Sequence, residues 1–472
     1  MKSKIMKFLK IFLLISILVV VVLAVIGVTL VLRWPWWVGL FLLLFFLVLG
    51  TGVFFLWHFW RGHRADNLTQ ESAPKNEAHI ATLDSKESAA QQELQDSWRN
   101  AVNTLRRSHL KKLGNPLHVL PWYVIIGESG SGKTTSLQSA RLASALTDDK
   151  VKEGVSGTRN CEWWYLEKAV VIDTAGRYSL LIDDEADRKE WRKFLSLLLN
   201  YRKREALNGL IVTVAADKLI RSGAELIEKE GIAIRRRIDE LMQVLGVRFP
   251  VYVLVTKCDY IHGMNRFCDY LPEACLKQPM GVINQSLTED AADFLKGAMT
   301  SIGKRLKYLR LFLLHQPEAK QADPAVLLFP EDFKAVERGL EVFMKAAFSK
   351  STYQETPLLR GLYFGSGRQK GQSYSPVSES LGKHGEGETL PDTSRGLFLH
   401  DFYEKILPGD RYLMSPTRRA IQWRSLTGNI GLIAWGALFI IMCGFLSYSF
   451  VKNMSSIRGT SDEFPRLSAS QE

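Results

Sequence analysis

A glycine-rich run at residues 127–135 has the residue types and spacing of a loop that binds phosphate. It reads Gly127-Glu128-Ser129-Gly130-Ser131-Gly132-Lys133-Thr134-Thr135. Glycines let the backbone wrap closely, so that N–H groups point inward at phosphate oxygens. Lys133 is expected to reach the β- and γ-phosphates, and the Thr134 hydroxyl to ligate Mg²⁺. An apolar run precedes the loop and a helical stretch follows, which is the context such a loop requires.

A second candidate element is an acidic residue at the end of an apolar run. The segment Val170-Val171-Ile172 leads directly into Asp173-Thr174-Ala175-Gly176. Asp173 is placed to hold the magnesium shell, and Gly176 to give its N–H to the γ-phosphate. Thr158, between the two elements, is a candidate switch threonine for magnesium, with an ordinary loop hydroxyl as the alternative.

The third element, Thr256-Lys257-Cys258-Asp259, fits the pattern by which GTPases recognise guanine. The carboxylate of Asp259 is expected to accept hydrogen bonds from a guanine edge, while Lys257 packs on the base plane. A surface turn is the alternative, because four-residue matches are common. The expected ligand is therefore Mg²⁺ with ATP or GTP, and the base stays open.

Arg177 stands where many GTPases carry the glutamine that orients the attacking water. Arginine cannot accept a proton from water, but it can stabilise phosphate charge. A purely structural role is the alternative. We therefore predict nucleotide binding with slow intrinsic turnover, and hydrolysis itself stays an open question.

Short apolar runs alternate with longer helical stretches from residue 114 onward. The runs are Trp122–Ile126, Ala169–Ile172, Leu210–Ala216, Val251–Thr256 and Gly361–Phe364. Continuous apolar strands suit a parallel sheet that is covered on both faces, and the stretches Trp191–Arg204 and Ala224–Leu245 supply crossover helices. The fold class predicted is α/β, P-loop NTPase-like (GTPase-like), with a helical subdomain and three transmembrane α-helices.

Composition shifts divide the soluble region into four parts. These are 65–113, a linker and helix; 114–260, the P-loop nucleotide-binding domain; 261–356, the helical subdomain; and 357–424, the last strand of the nucleotide-binding domain, a mobile loop and a helix.

Three apolar stretches predict membrane spans. Residues 1–64 form a hairpin of two helices, at about 11–32 and 37–60, and the third span lies at 427–451. Lysine and arginine flank these spans so that the N-terminus and the middle region are predicted to be cytoplasmic. The tail at 452–472 is then periplasmic.

The charged residues and the cysteines indicate the expected partners and the cellular compartment of the protein. The chain has 61 Lys+Arg against 49 Asp+Glu, a formal net charge of +12. The clusters Arg202-Lys203-Arg204 and Arg235-Arg236-Arg237 lack aromatic interleaving, so we interpret them as solvated helix faces near anionic lipid and expect no nucleic acid. The five cysteines include no CxxC pair, which favours free thiols in a reducing compartment.

Several segments together resemble the IcmF/TssM family of type VI secretion inner-membrane proteins. They are Gly157-Thr158-Arg159-Asn160-Cys161-Glu162-Trp163-Trp164, Asp173-Thr174-Ala175-Gly176-Arg177-Tyr178, Thr256-Lys257-Cys258-Asp259 and Leu359-Arg360-Gly361-Leu362-Tyr363-Phe364-Gly365-Ser366-Gly367. The resemblance implies a multi-pass scaffold protein of the bacterial inner membrane with its nucleotide-binding domain in the cytoplasm.

The resemblance also implies partners. Family members sit with the DotU/TssL inner-membrane protein, and self-association and contact with cytoplasmic baseplate components are further expectations. Only a short tail follows the third span, so the chain is either a fragment or a truncated member, and contact with the TssJ lipoprotein is doubtful. The alternatives are a membrane-tethered signalling GTPase and a structural anchor with an inactive nucleotide site.

Overall fold

The computed structural model describes residues 85–144, 161–179, 185–202, 205–287, 289–315, 323–350, 355–380, 389–417 and 435–455. Thr158 and the two spans predicted at 11–32 and 37–60 lie outside these residues. The chain divides into two compact units, one of His79–Ala420 and one that joins Met1–Ala78 with Ile421–Glu472.

The first unit contains all of the strands and all but one of the helices described below. The strands are β1 (Trp122–Ile126), β2 (Cys161–Tyr165), β3 (Val170–Thr174), β4 (Gly209–Ala215), β5 (Val247–Arg248), β6 (Pro250–Thr256), β7 (Met280–Ile283), β8 (Leu358–Phe364), β9 (Gln369–Gln372), β10 (Thr389–Thr393) and β11 (Ser415–Pro416). The α-helices are α1 (Ser85–Arg107), α2 (Pro116–Val119), α3 (Lys133–Ser139), α4 (Glu185–Tyr201), α5 (Ala216–Arg221), α6 (Ala224–Leu245), α7 (Met264–Asp269), α8 (Glu273–Lys277), α9 (Ala291–Leu314), α10 (Pro324–Lys334), α11 (Val336–Phe348), α12 (Pro376–Ser380) and α13 (Leu407–Gly409).

A seven-stranded sheet with the order β2-β3-β1-β4-β6-β8-β7 forms the centre of this unit. The strands β3, β1, β4, β6 and β8 run parallel, which confirms the predicted parallel sheet. Both edge strands, β2 and β7, are antiparallel to their neighbours and were not predicted from the sequence. Glu162 interrupts β2, and β7 has only four residues, so neither has the long apolar run that marks the central strands.

The two faces of the sheet bury separate apolar layers. Along β1, Trp122, Val124 and Ile126 point into the larger core, whereas Tyr123 and Ile125 point into a smaller core on the other face. All five side chains are 0% exposed. Burial on both faces explains why this strand is apolar at every position.

Helix α1 belongs to the larger core. Its Trp98 is fully buried and packs against Trp122 of β1 and Trp163 of β2, with ring centroids 6.2 and 4.8 Å away. Trp122 and Trp163 are themselves 5.1 Å apart, edge to face. The segment predicted as linker and helix therefore contributes large aromatic area to the sheet's core, and such area dominates core energetics.

The helices α7 to α11 fall in the region predicted as a helical subdomain. They bury side chains such as Phe294, Phe329, Phe333 and Phe343 in the same large core as the sheet. Strand β7 also lies in this region and pairs with β8. The region is thus mainly helical but continuous with the sheet.

The interpretation of the basic clusters as solvated helix faces is wrong for Arg202, Arg235 and Arg237, which are buried, and fits Arg236, which is exposed. Arg202 is fully buried, with its guanidinium 4.7 Å from the Trp122 ring. Arg235 donates to Asp239 and to the Ser349 carbonyl, so it ties α6 to the end of α11. Buried guanidinium groups of this kind stabilise packing, because their planar heads stack and bind several acceptors at once.

The predicted mobile loop after β8 contains ordered elements. Strands β9 and β10 pair antiparallel, and helix α12 lies between them in the chain. Residues 381–388 lie outside the described part.

The second unit contributes one described helix, α14 (Trp435–Ser455), which overlaps the span predicted at 427–451. It has 21 residues, and its most apolar stretch has a mean hydropathy of 1.5 and contains no buried residue. Among the helices that the structure describes, α14 is the one long and apolar enough to cross a membrane.

Candidate nucleotide-binding site

The predicted site residues converge at the carboxyl edge of the parallel strands. Ile125 at the end of β1 pairs with Asp173 of β3, and Ala215 at the end of β4 pairs with Thr256 of β6. The loops that follow these strands therefore emerge side by side, where α/β sheets bind their ligands.

The phosphate loop is held in place by threonines at the ends of two other strands. The hydroxyl of Thr213 on β4 is hydrogen bonded to Ser131, at 2.8 Å, and that of Thr256 on β6 donates to the Ser131 carbonyl, at 2.5 Å. Gly130 and Gly132 adopt φ angles of 76° and 83°, which residues with a Cβ rarely take. The loop is thus preformed by contacts with two neighbouring strands.

Lys133 is folded back over the loop. Its Nζ donates to the carbonyls of Gly127 and Glu128, at 2.7 and 3.0 Å, and the residue is only 7% exposed. Burial lowers the pKa of Lys133, and the nearby carboxylates of Asp173, Glu128 and Glu230 oppose this shift. An ammonium group that is this well shielded from water attracts an anionic ligand more strongly than an exposed one does.

The two residues predicted as principal magnesium ligands lie in contact. The Thr134 hydroxyl donates to Oδ2 of Asp173, and Asp173 is fully buried. A hydroxyl and a carboxylate are both hard oxygen donors, which Mg²⁺ prefers. Thr158, the third predicted ligand, lies outside the described residues.

Gly176 brings the loop after β3 against the phosphate loop. A Cβ at this position would lie 2.4 Å from the backbone N and Cα of Ser129, so a side chain is excluded. Three residues later, Ser179 accepts a hydrogen bond from the Gly127 N–H at 2.7 Å. Two of the predicted segments are therefore in direct backbone contact.

Arg177 is held by acidic side chains of α4. Its Nη2 lies 2.8 Å from Oε2 of Glu190, and its Nε lies 3.0 Å from Oδ1 of Asp187. Glu190 is buried and also accepts a hydrogen bond from Tyr178. In this arrangement the guanidinium stabilises the loop after β3, which was the structural alternative considered for it.

The candidate base-recognition residues lie after β6. Asp259 is fully buried; its Oδ1 accepts a hydrogen bond from Ser366 at 2.5 Å, and its Oδ2 has no hydrogen-bond partner among the described residues. Burial raises the pKa of Asp259 to about 6. Lys257 adopts a φ of 55°, and its Nζ lies 3.7 Å from Asp217. Ser366 thus orients the Asp259 carboxylate.

Sequence reasoning missed a charged triad beside the phosphate loop. Lys218 of α5 bonds to Glu128 of the loop and lies 2.7 Å from the buried Glu230 of α6. Burial raises the pKa of Glu230, and the Lys218 ammonium opposes that shift. Glu128 belongs to the phosphate loop, but Lys218 and Glu230 match no motif, so no sequence signal connects the three residues.

The residues present fit a magnesium-bound nucleoside triphosphate. The phosphates would be held by the backbone of residues 127–135 with Lys133, and the metal by Thr134 and Asp173. The unsatisfied Oδ2 of Asp259 offers a buried acceptor for a ligand N–H. The metal, when bound, supplies positive charge that neutralises the phosphate oxygens.

The sheet order and these loops define an α/β protein of the phosphate-loop kind. Residues 184–435 match the family profile of the IcmF-related N-terminal domain. The type VI secretion system component TssM1 of Pseudomonas aeruginosa is 34% identical over 399 residues, which cover 79% of this chain and 35% of that protein. The chain belongs to the IcmF/TssM family of type VI secretion proteins, and it spans about a third of this relative's length.

Three solved structures resemble parts of this chain with low TM-scores. The signal recognition particle receptor SRb-GTP/SRX complex from Chaetomium thermophilum is 19% identical, with 30% of this chain and 70% of that chain covered and a TM-score of 0.21. Toc33 from Arabidopsis thaliana is 11% identical, with 59% and 98% covered and a TM-score of 0.21. The GDP-bound NFeoB mutant from S. thermophilus is 13% identical, with 48% and 96% covered and a TM-score of 0.20. Scores of this size support no conclusion about the chain.

Replacement of Asp259 by Asn is expected to stabilise the nucleotide-free protein near neutral pH. Because the folded-state pKa of about 6 lies above the ordinary value of 3.8, the contribution of Asp259 to stability is full below pH 3.8 and is lost as pH rises through 6. The variant should therefore be about 1–2 kcal/mol more stable than wild type at neutral pH. The difference in stability between the variant and wild type should shrink as the pH is lowered toward the pKa of free aspartate.

Thermal unfolding of the full chain in detergent at several pH values measures this difference in stability. The matched control is Asp96→Asn, at a carboxylate more than half exposed on α1; an equal effect of both variants would contradict the prediction.

Proposed function

We propose that this chain is an inner-membrane scaffold component of a type VI secretion system whose cytoplasmic domain binds Mg²⁺ and a nucleoside triphosphate, with GTP preferred over ATP. The single observation that carries the proposal is a buried, incompletely bonded Asp259 carboxylate at the same sheet edge as Lys133, Thr134 and Asp173. Burial of a carboxylate without full hydrogen bonding costs stability, so its retention beside a phosphate loop favours a ligand that satisfies it.

The preference for guanine follows from hydrogen-bond chemistry. An ionised aspartate only accepts hydrogen bonds. Guanine offers two adjacent donors, its N1–H and its C2 amino group, whereas adenine has an acceptor at N1. Ser366 already occupies Oδ1 of Asp259, which fixes the carboxylate plane while Oδ2 keeps its capacity to accept.

The scaffold role rests on family membership. TssM1 of Pseudomonas aeruginosa is described as a type VI secretion system component, and α14 has the length and apolar composition of a span. On the family's pattern, the DotU/TssL inner-membrane protein is the expected membrane partner, with self-association and baseplate contacts on the cytoplasmic side. Nucleotide binding would then act as a slow switch on this assembly.

The Lys133→Ala variant is expected to lose roughly tenfold to a hundredfold in GTP affinity, because a buried hydrogen bond to charged phosphate is removed. GTP and ATP are titrated separately with magnesium into the purified full chain, followed by calorimetry. Lys229→Ala, at an exposed lysine of α6, serves as the matched control and should bind as wild type does. Absence of binding by wild type to both nucleotides at millimolar levels would leave a structural anchor as the function.

The Asp259→Asn variant is expected to exchange guanine for xanthine preference. Xanthine carries a carbonyl at C2 where guanine has an amino group, and the amide nitrogen of Asn donates to a carbonyl. GTP affinity should fall roughly tenfold or more while affinity for xanthosine triphosphate rises. Competition titrations with both nucleotides on wild type, Asp259→Asn and the control Asp96→Asn measure the change. A variant that keeps wild-type GTP affinity would remove Asp259 from base recognition.

Intrinsic turnover of GTP by the isolated chain is expected to be slow, on the order of 10⁻³ s⁻¹ or less, as for GTPases without an activator. Arg177 replaces the water-orienting glutamine, and its guanidinium is engaged by Glu190 and Asp187. Phosphate release measured on wild type and Arg177→Ala tests this, and the two rates should differ little. Rapid multiple turnover without partners, lost in Arg177→Ala, would favour a freely cycling signalling GTPase instead.

A further inference from the structure

The last turns of α9 expose a large apolar surface. Tyr308, Leu311 and Phe312 are 73%, 59% and 64% exposed, although they belong to a helix whose opposite side is buried in the core. Their spacing of three and four residues places them on one face of the helix. We call these three residues, with the cations that flank them, the α9 surface.

Basic side chains border these apolar residues on both sides. Lys304 and Arg305 precede Tyr308 by one turn, and Lys307 lies on the other flank of the apolar stripe. All three are exposed. Between residues 294 and 314 the helix contains five cations and no acidic residue, the others being Lys296 and Arg310. An apolar stripe flanked by basic residues is the pattern of helices that lie in a membrane interface.

The acidic residue that opposes this charge comes from α10. Glu331 lies 2.8 Å from Arg310 and 3.7 Å from Lys307. Lys304 and Arg305 form no ion pair among the described residues. The net charge of the α9 surface therefore stays strongly positive.

The apolar area continues from the helix into a groove of about 530 Å³. The groove is lined by Tyr270, Leu271, Pro272, Cys275, Leu309 and Phe312. Phe312 belongs to both the exposed stripe and the groove. The two therefore form one continuous apolar surface, which is larger than the surface of isolated exposed residues. Such surfaces mark contacts with a protein or a membrane.

We propose that the α9 surface rests on an anionic phospholipid surface, with the lysines and arginines at headgroup level and Tyr308, Leu311 and Phe312 inserted at the boundary. The charge favours lipid, because each basic residue near such a surface contributes about fivefold to binding. Shape favours lipid too, since Tyr308 and Leu311 stand on an exposed helix face outside the groove, with Phe312 at its rim. The inference rests on the proposed function, which places the chain in the inner membrane, and α14 has the length and apolar composition of a span.

A photocrosslinker at Phe312 tests the contact directly. Phe312→p-benzoylphenylalanine keeps an aromatic side chain, and the full chain is reconstituted into vesicles of phosphatidylcholine with or without phosphatidylglycerol. Irradiation is expected to yield a lipid adduct, identified by mass, in the vesicles that contain phosphatidylglycerol. The matched control site is Leu226→p-benzoylphenylalanine on α6, which is 57% exposed and should yield no lipid adduct.

Charge reversal separates an anionic contact from an incidental one. Lys304→Glu with Arg305→Glu should lower the yield of the Phe312 adduct roughly tenfold or more. The control pair Arg192→Glu with Lys229→Glu, at exposed cations of α4 and α6, should leave the yield unchanged. Circular dichroism confirms that each variant is folded. An adduct between two chains, no adduct at Phe312, or equal lipid yields with and without phosphatidylglycerol would each overturn the proposal; the first would make the surface a self-association interface.

Discussion

The parallel hydrogen bonding of β1 with β3 and β4 is the constraint on which the rest of the site depends. It sets Ile125 opposite Asp173, so the phosphate loop and the acidic residue emerge from neighbouring strand ends. The contact between Thr134 and Asp173 and the close approach of Gly176 to Ser129 both follow from that register. Because side chains alternate with a period of two, a slip by one residue would turn Asp173 toward the opposite face of the sheet. The apolar layers on both faces oppose such a slip, because the side chains of the shifted strand would move from one layer to the other.

The buried charges at the carboxyl ends of these strands would suit the proposed ligand, a nucleotide with anionic phosphates at one end and a base at the other. Lys133 is a buried cation whose present acceptors are main-chain carbonyls. Asp259 follows β6, which β4 separates from β1, and it is a buried carboxylate with one oxygen bonded to Ser366. Burial of each group costs desolvation free energy, and the proposed ligand would offset both costs with its phosphates and its N–H donors. On that proposal, nucleotide binding would also stabilise the folded protein through these two residues.

Local pattern was sufficient to predict the central strands and the phosphate loop, because both are encoded over a few consecutive residues. The β1, β4 and β6 runs are apolar at almost every position, and residues 127–135 carry their spacing in one segment. Edge strands β2 and β7 were missed, since Glu162 interrupts the apolar residues of β2 and β7 is only four residues long. The buried state of Arg202 and the link between Lys218 and Glu230 depend on which helices pack together. No local pattern encodes that choice, and charge clusters in sequence therefore say little about whether a side chain meets water.

The indole cluster formed by Trp98, Trp122 and Trp163 has a consequence for spectroscopy. Its rings lie 4.8 to 6.2 Å apart, a distance at which aromatic chromophores interact electronically. One ring comes from α1, one from the strand that leads into the phosphate loop, and one from the edge strand. Undocking of α1 removes Trp98 from the cluster, so the near-ultraviolet circular dichroism should change even where far-ultraviolet helix content is unchanged, while the Trp122–Trp163 pair keeps its own contribution. The protein thus contains a built-in optical reporter of whether the segment before the phosphate loop is seated on the sheet.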